Sequence, residues 1–152
     1  VYKRQIIFCG NGGSFADSQH LTAEFISKLR FDRNPLPSIA LGTNNSNLTA
    51  IGNDYGFEYI FERELIALHG EYDVFIPIST SGNSENIIRA IKKANELGIK
   101  TYGLTGNNSG KMDAFCQTIK APSSETARIQ ECHILIGHII CGIVERNIFG
   151  KI

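Results

Sequence analysis

The sequence carries no excess of charge of either sign, with 15 Lys and Arg against 15 Asp and Glu among 152 residues. No net field therefore steers the chain toward nucleic acid or an anionic membrane, and neither is expected as a partner. A small phosphorylated ligand stays open, because neutral backbone amides hold phosphate without net charge. No consecutive apolar run reaches the roughly 18 to 20 residues of a membrane span. A secretory-signal pattern is also missing from these residues. There are four cysteines, Cys9, Cys116, Cys132 and Cys141, and none forms a CxxC pair. Each lies in or beside an apolar stretch, so reduced, buried thiols and a cytoplasmic setting are expected.

Internal repeats, linkers and low-complexity segments are missing as well. The length suits one domain over 1–152. The composition, 42% hydrophobic and 20% charged, is that of an ordinary globular protein. Short β-branched apolar runs at 6–9, 38–41, 73–78, 100–104 and 118–121 alternate with stretches of helical period. The helices are expected at about 14–29, 57–68, 84–97 and 125–148, with a shorter one near 46–51. Strand and helix in alternation predict an α/β fold, a mostly parallel five-stranded sheet covered on both faces. In such sheets ligands bind beyond the carboxyl ends of the strands. The chain enters its first strand after only five residues, which reads as a fragment whose first residues need not be native.

Two loops occupy those carboxyl ends. Cys9-Gly10-Asn11-Gly12-Gly13-Ser14 follows the first strand and precedes a helix. Its glycines permit a tight turn and close approach to a ligand, and Ser14 is the expected N-cap. An ordinary strand-to-helix turn would use the same residues. The loop has no Lys after its glycines and lacks the GxGxxG spacing, so it is neither a P-loop nor a dinucleotide fingerprint. The second loop, Ser79-Thr80-Ser81-Gly82-Asn83-Ser84, puts four hydroxyls at a helix N-terminus. One Ser suffices for a capped turn. Three more make a neutral anion cradle the better reading.

Two stretches can carry chemistry. His20 and Glu24 stand at i and i+4 on one helix face, a spacing that suits two ligands of one metal ion or a base with its orienting partner. In the last helix Arg128, Gln130, Glu131, His133 and His138 interrupt an apolar stretch. Glu131 and His133 read as surface positions, and His69, beside Gly70, as a loop residue. Gln130 and His138 lie about 12 Å apart along a helix axis, barely within reach of one ion. More than one helix or subunit would ease that geometry.

The segments 9–14, 52–54 (Gly52-Asn53-Asp54), 79–84, 104–106 (Leu104-Thr105-Gly106) and 128–131 (Arg128-Ile129-Gln130-Glu131), with His138 beyond, resemble the phosphoheptose isomerases of the SIS (sugar isomerase) domain superfamily. The likeness runs in order over the chain from about Ile6 onward. It implies a flavodoxin-like three-layer αβα sandwich and a homotetramer with active sites at subunit contacts. It implies conversion of sedoheptulose 7-phosphate to D-glycero-D-manno-heptose 7-phosphate for bacterial surface polysaccharide. By position, Asn11, Gly12, Gly13, Ser14, Asn53 and Asp54 would contact the sugar, and Ser79, Thr80, Ser81 and Ser84 the phosphate. Gln130 would sit between sugar and metal. His20, Glu24, Gln130 and His138 match the family's zinc ligands, and Glu24 and His138 its catalytic pair. The family also has a helical N-terminal segment that these residues do not include. Some members carry Arg where Lys28 stands and Asp where Ala127 stands.

Two other readings compete. One is a non-catalytic SIS-domain protein that binds sugar phosphate or the bacterial replication initiator; retention of Glu24 and His138 favours the enzyme. The other keeps catalysis but changes the phosphorylated ketose, because the loops recognise phosphate and hydroxyls generically.

Overall fold

The computed structural model describes residues 4–150; the first residues suspected of being non-native, 1–3, lie outside them. Strands form where the apolar runs predict: β1 (Ile6–Gly10), β2 (Ser38–Ala40), β3 (Val74–Ile78), β4 (Lys100–Thr105) and β5 (Gln117–Lys120). They build one sheet in the order β2-β1-β3-β4-β5, and every neighbouring pair is parallel. The sheet is thus wholly rather than mostly parallel. Five helices connect it: α1 (Gly13–Ile26), α2 (Asn45–Asp54), α3 (Ile60–Leu68), α4 (Glu85–Glu96) and α5 (Thr126–Phe149).

Side chains alternate across the strands. Phe8, Ile76 and Ile78 point into a core completed by Leu21 and Phe25 of α1 and Cys141 of α5. Ile7, Cys9 and Phe75 point the other way, onto Phe61 and Leu65 of α3 and Ile87, Ile88 and Ile91 of α4. Burial on both faces is what an all-parallel sheet requires.

Two expected helices change shape. The short one starts at Asn45, where Asn44 caps it with a side chain that accepts from the N–H groups of Ser46 (3.0 Å) and Asn47 (3.1 Å), and it runs on to Asp54. The expected helix 57–68 begins instead as a 3-10 turn, Phe57–Tyr59, before α3.

Helix α5 corrects the sequence reading at His133. By length and composition its 24 residues could cross a membrane, although no uninterrupted apolar run does so. Averaged hydropathy tolerates the scattered polar residues that a consecutive count rejects. Yet Ile129, His133, Gly137, Cys141 and Glu145, one every four residues, are all buried in the domain. His133 is consequently not a surface position; it is 0% exposed, and its Nε2 lies 3.1 Å from the Thr105 carbonyl. Phase on the helix, not residue type, decides its place.

Burial pushes the His133 imidazole below its usual pKa, partly opposed by the Thr105 hydrogen bond. The folded state then binds fewer protons than the unfolded state just below the ordinary histidine value of about 6.5. Stability is full above that pH and is lost as pH falls through the lowered folded value. Urea unfolding at about pH 7.5 and about pH 5.5 should show a larger acid loss for the native chain than for His133→Gln. Equal losses would mean that His133 does not contribute.

Candidate active site

β1 sends its chain to one face of the sheet through α1, and β3 sends its chain to the other through α4. These two strands are neighbours, with Gly10 paired to Ile78 at their carboxyl ends. The loops that follow therefore part at a topological switch point, where open parallel sheets form their ligand crevice.

The loop after β1 begins α1 earlier than the sequence suggests. Gly12, at φ 56°, is the N-cap, and no side chain caps the helix. Ser14 is inside the first turn and buried, its carbonyl accepting from the Ser18 hydroxyl at 2.8 Å. The expected Ser14 cap is thus displaced, because a glycine of positive φ turns the chain two residues sooner. The loop after β3 behaves alike. Ser84 is the N-cap of α4, but its hydroxyl makes no cap bond and lies 3.3 Å from the Ser79 hydroxyl. Two helix N-termini without side-chain caps thus converge, which is an arrangement ready for an anion.

Reciprocal amide hydrogen bonds between Asn11 and Asn86, both 2.9 Å, tie the two loops together. Asn83 folds back on the Ser81 carbonyl (3.0 Å) and accepts from the Lys111 N–H (3.0 Å). Lys111 belongs to a second 3-10 turn, Gly110–Ala114, which Asp113 anchors by accepting from Lys120, Ser109 and Thr118. Those bonds, the one from Lys120 foremost, hold the Asp113 carboxyl well below the usual range.

Along α1 and α5 a second cluster forms. His20 Nε2 is 3.2 Å from Glu24 Oε1 and 3.0 Å from His138 Nε2. One donor atom from each of the three residues falls within 4.8 Å of the others. Two imidazoles and a carboxylate are a mixed N/O set that zinc accepts, and three protein ligands leave a position open. The residues fit a divalent metal.

Gln130 lies nearer the N-terminal ends of the same two helices. Helices α1 and α5 run side by side in the same direction, so Gln130 lies against Gly13 while Gly137 lies against Leu21. A Cβ on Gly137 would stand 2.4 Å from the Leu21 side chain, so the helices approach closely there. Gln130 thus faces the loop after β1, about two helical turns from His138. Asn53 and Asp54 also stand apart. They bond to each other (2.8 Å) at the exposed end of α2, which packs with α3 rather than with α1 and α5.

Two residues near the cluster have a place in it that the sequence reading did not foresee. Cys141, one turn after His138, is buried, and its thiol is pushed up to about 12 by burial and then by the charge of Glu24. Asp17, one turn before His20, has a buried Oδ2 without a partner. Burial raises its pKa and the charge of His20 lowers it. Their i+3 spacing from the two histidines is the only signal the sequence offered.

The SIS domain family pattern matches residues 2–106. The phosphoheptose isomerase of Clostridium acetobutylicum is 55% identical over 149 residues, 97% of this chain and 76% of that one. That of Aneurinibacillus thermoaerophilus is 58% identical over 146 residues, 95% and 74% of the two chains. A solved phosphoheptose isomerase structure from Francisella tularensis superposes with a TM-score of 0.89 at 38% identity, covering 94% of this chain and 77% of that one.

Proposed function

From membership of the phosphoheptose isomerases, the branch of the SIS domain family to which this chain belongs, we propose how its residues divide the work. The reaction is an aldose–ketose isomerisation that turns sedoheptulose 7-phosphate into D-glycero-D-manno-heptose 7-phosphate for bacterial surface polysaccharide. The carbonyl moves from C2 to C1. One proton leaves C1 to give an enediol and is returned to C2, while a second shifts from O1 to O2.

Glu24 removes the C1 proton and returns it to C2, since a carboxylate is a competent base once oriented. His138 moves the proton between the two oxygens, since an imidazole can accept a proton on one ring nitrogen and give one from the other. The observation that carries this assignment is the meeting of His20, Glu24 and His138 from two helices. Ser79, Thr80, Ser81 and Ser84 hold the phosphate at the uncapped start of α4. Binding energy from that remote group positions the reacting carbons. Asn11, Gly12, Gly13 and Ser14 line the approach, with Gln130 against Gly13. Asn53 and Asp54, exposed at the end of α2, would contact the sugar.

His20, Glu24 and His138 would hold zinc, with Gln130 as a fourth ligand. When bound, the ion polarises the carbonyl and stabilises negative charge on the substrate oxygens. Leu135, Ile139 and Ile143 form an exposed apolar stripe on α5, the kind of surface that a homotetramer covers. Cytoplasmic residence follows from a phosphorylated sugar substrate and free cysteines.

Product NMR after incubation with sedoheptulose 7-phosphate tests the activity; absence of the aldose product would refute it. Chelation should lower turnover without unfolding the domain, and added zinc should restore it. Binding needs neutral imidazoles, so metal content should fall at acid pH. Full activity in metal-free protein would leave His20 and Glu24 as a simple pair.

A further inference from the structure

We infer that Arg33 and Glu145 are positioning residues that fix Glu24 relative to His138. The inference rests on the reading that these two side chains carry the chemistry.

Helix α1 ends at Ile26 with no basic residue in its last turn, so its final carbonyls lack both intrahelical partners and a cation. Arg33, in the loop beyond, supplies both. Its Nη2 donates to the Glu24 carbonyl at 2.7 Å, and its Nη1 donates to the Phe25 carbonyl at 2.8 Å and to that of Asn34 at 3.1 Å. Its Nε donates to Glu145 Oε1 at 2.8 Å. Glu145 belongs to α5, two turns beyond His138, and also accepts from the N–H groups of Leu29 and Arg30, both at 3.2 Å. The two side chains are 3% and 1% exposed.

A planar guanidinium fork is the one side chain able to serve three carbonyls and a carboxylate together, and Lys cannot copy it. One end of this clamp grips the peptide group of Glu24. The other grips the helix that presents His138. Stability alone gives little reason for such a device, because buried ion pairs are often replaced by apolar residues without loss. Fixing the end of α1 against α5 sets the separation of two reacting groups, where a displacement of about 1 Å can cost about 10²-fold in rate.

The test uses Arg33→Met combined with Glu145→Gln, and separately Arg33→Lys. The double variant removes both charges at once and keeps an amide oxygen for the Leu29 and Arg30 N–H groups. Arg33→Lys keeps the charge and loses the fork, and it decides alone if the double variant does not fold. The expected result is a kcat lower by about 10²-fold in the double variant and about tenfold in Arg33→Lys. KM for sedoheptulose 7-phosphate should stay within about twofold, because the phosphate cradle is untouched. Guanidinium added to Arg33→Ala, well below denaturing concentration, should restore part of kcat. A lowered unfolding midpoint with unchanged kcat in a folded variant overturns the inference, since the pair would then be structural only. Glu24→Gln is measured alongside. If that variant keeps its activity, the premise fails and the inference with it; if it is inactive while Arg33→Lys is fully active, only the clamp is wrong.

Discussion

Glu24→Gln is expected to lower kcat for sedoheptulose 7-phosphate by about 10²- to 10⁴-fold, the range of a lost general base. The substitution keeps the size of the side chain and an oxygen facing His20, which lies 3.2 Å from Oε1. Glu24 is half-buried, and its backbone carbonyl stays in the grip of Arg33. The unfolding midpoint should therefore barely move, and KM should hold because the phosphate contacts lie elsewhere. Steady-state kinetics beside thermal unfolding make the check. Turnover within a few-fold of the native chain would remove Glu24 from the role of base.

Gly82→Ala should damage the phosphate cradle more than loss of any single hydroxyl. Gly82 has φ +64°, and a Cβ there would stand 1.8 Å from the Ser109 carbonyl oxygen and 2.4 Å from its carbon. Those atoms are backbone and belong to the segment leading into the 3-10 turn that Asp113 anchors, so they cannot yield. The left-handed conformation alone costs an L-residue roughly 1–2 kcal/mol. Adding the clash, the loss should reach at least about 2 kcal/mol, or about 4–8 °C in the midpoint for a chain of this size. The alternative is that the loop moves away, carrying Ser81 and Asn83 with it, and KM for the phosphorylated sugar rises by about tenfold or more. A variant with native midpoint and native KM would show that the close approach to Ser109 does not exist in solution.

The strands were legible because an apolar β-branched run between turn residues admits few other structures. The expected run 6–9 became Ile6–Gly10, and 100–104 became Lys100–Thr105. The place where the loops gather was legible for the same reason, since the order of elements dictates it. Helix phase was harder. His133 was read by its chemistry, although it continues the buried series of Ile129, Gly137 and Cys141. Ser14 was read by cap preference, which a glycine of positive φ overrode. Partners distant in sequence left no trace. Arg33 and Glu145 are 112 positions apart, and only the packing of α1 on α5 reveals why either is there. The meeting of His20 with His138, 118 positions away, needed the same packing; the likeness to a family foresaw it, and periodicity did not.

Helix α1 starts beside the phosphate cradle, its leading loop tied to α4 by the Asn11–Asn86 bonds, and carries His20 and Glu24 farther along the same rod, eight and twelve residues after its Gly12 cap. At about 1.5 Å per residue these side chains lie about 12 and 18 Å from the cap. Within one chain, the proposed site therefore has a built-in ruler. On the proposed assignment, a substrate would be gauged by the reach between its phosphate and its carbonyl before any hydroxyl is inspected. Shorter phosphoketoses would anchor at one mark and miss the other, so chain length would filter them even where every polar contact is generic. Altering the substrate range would then mean recutting the rod by whole turns, because a single inserted residue swings the far mark about 100° around the axis.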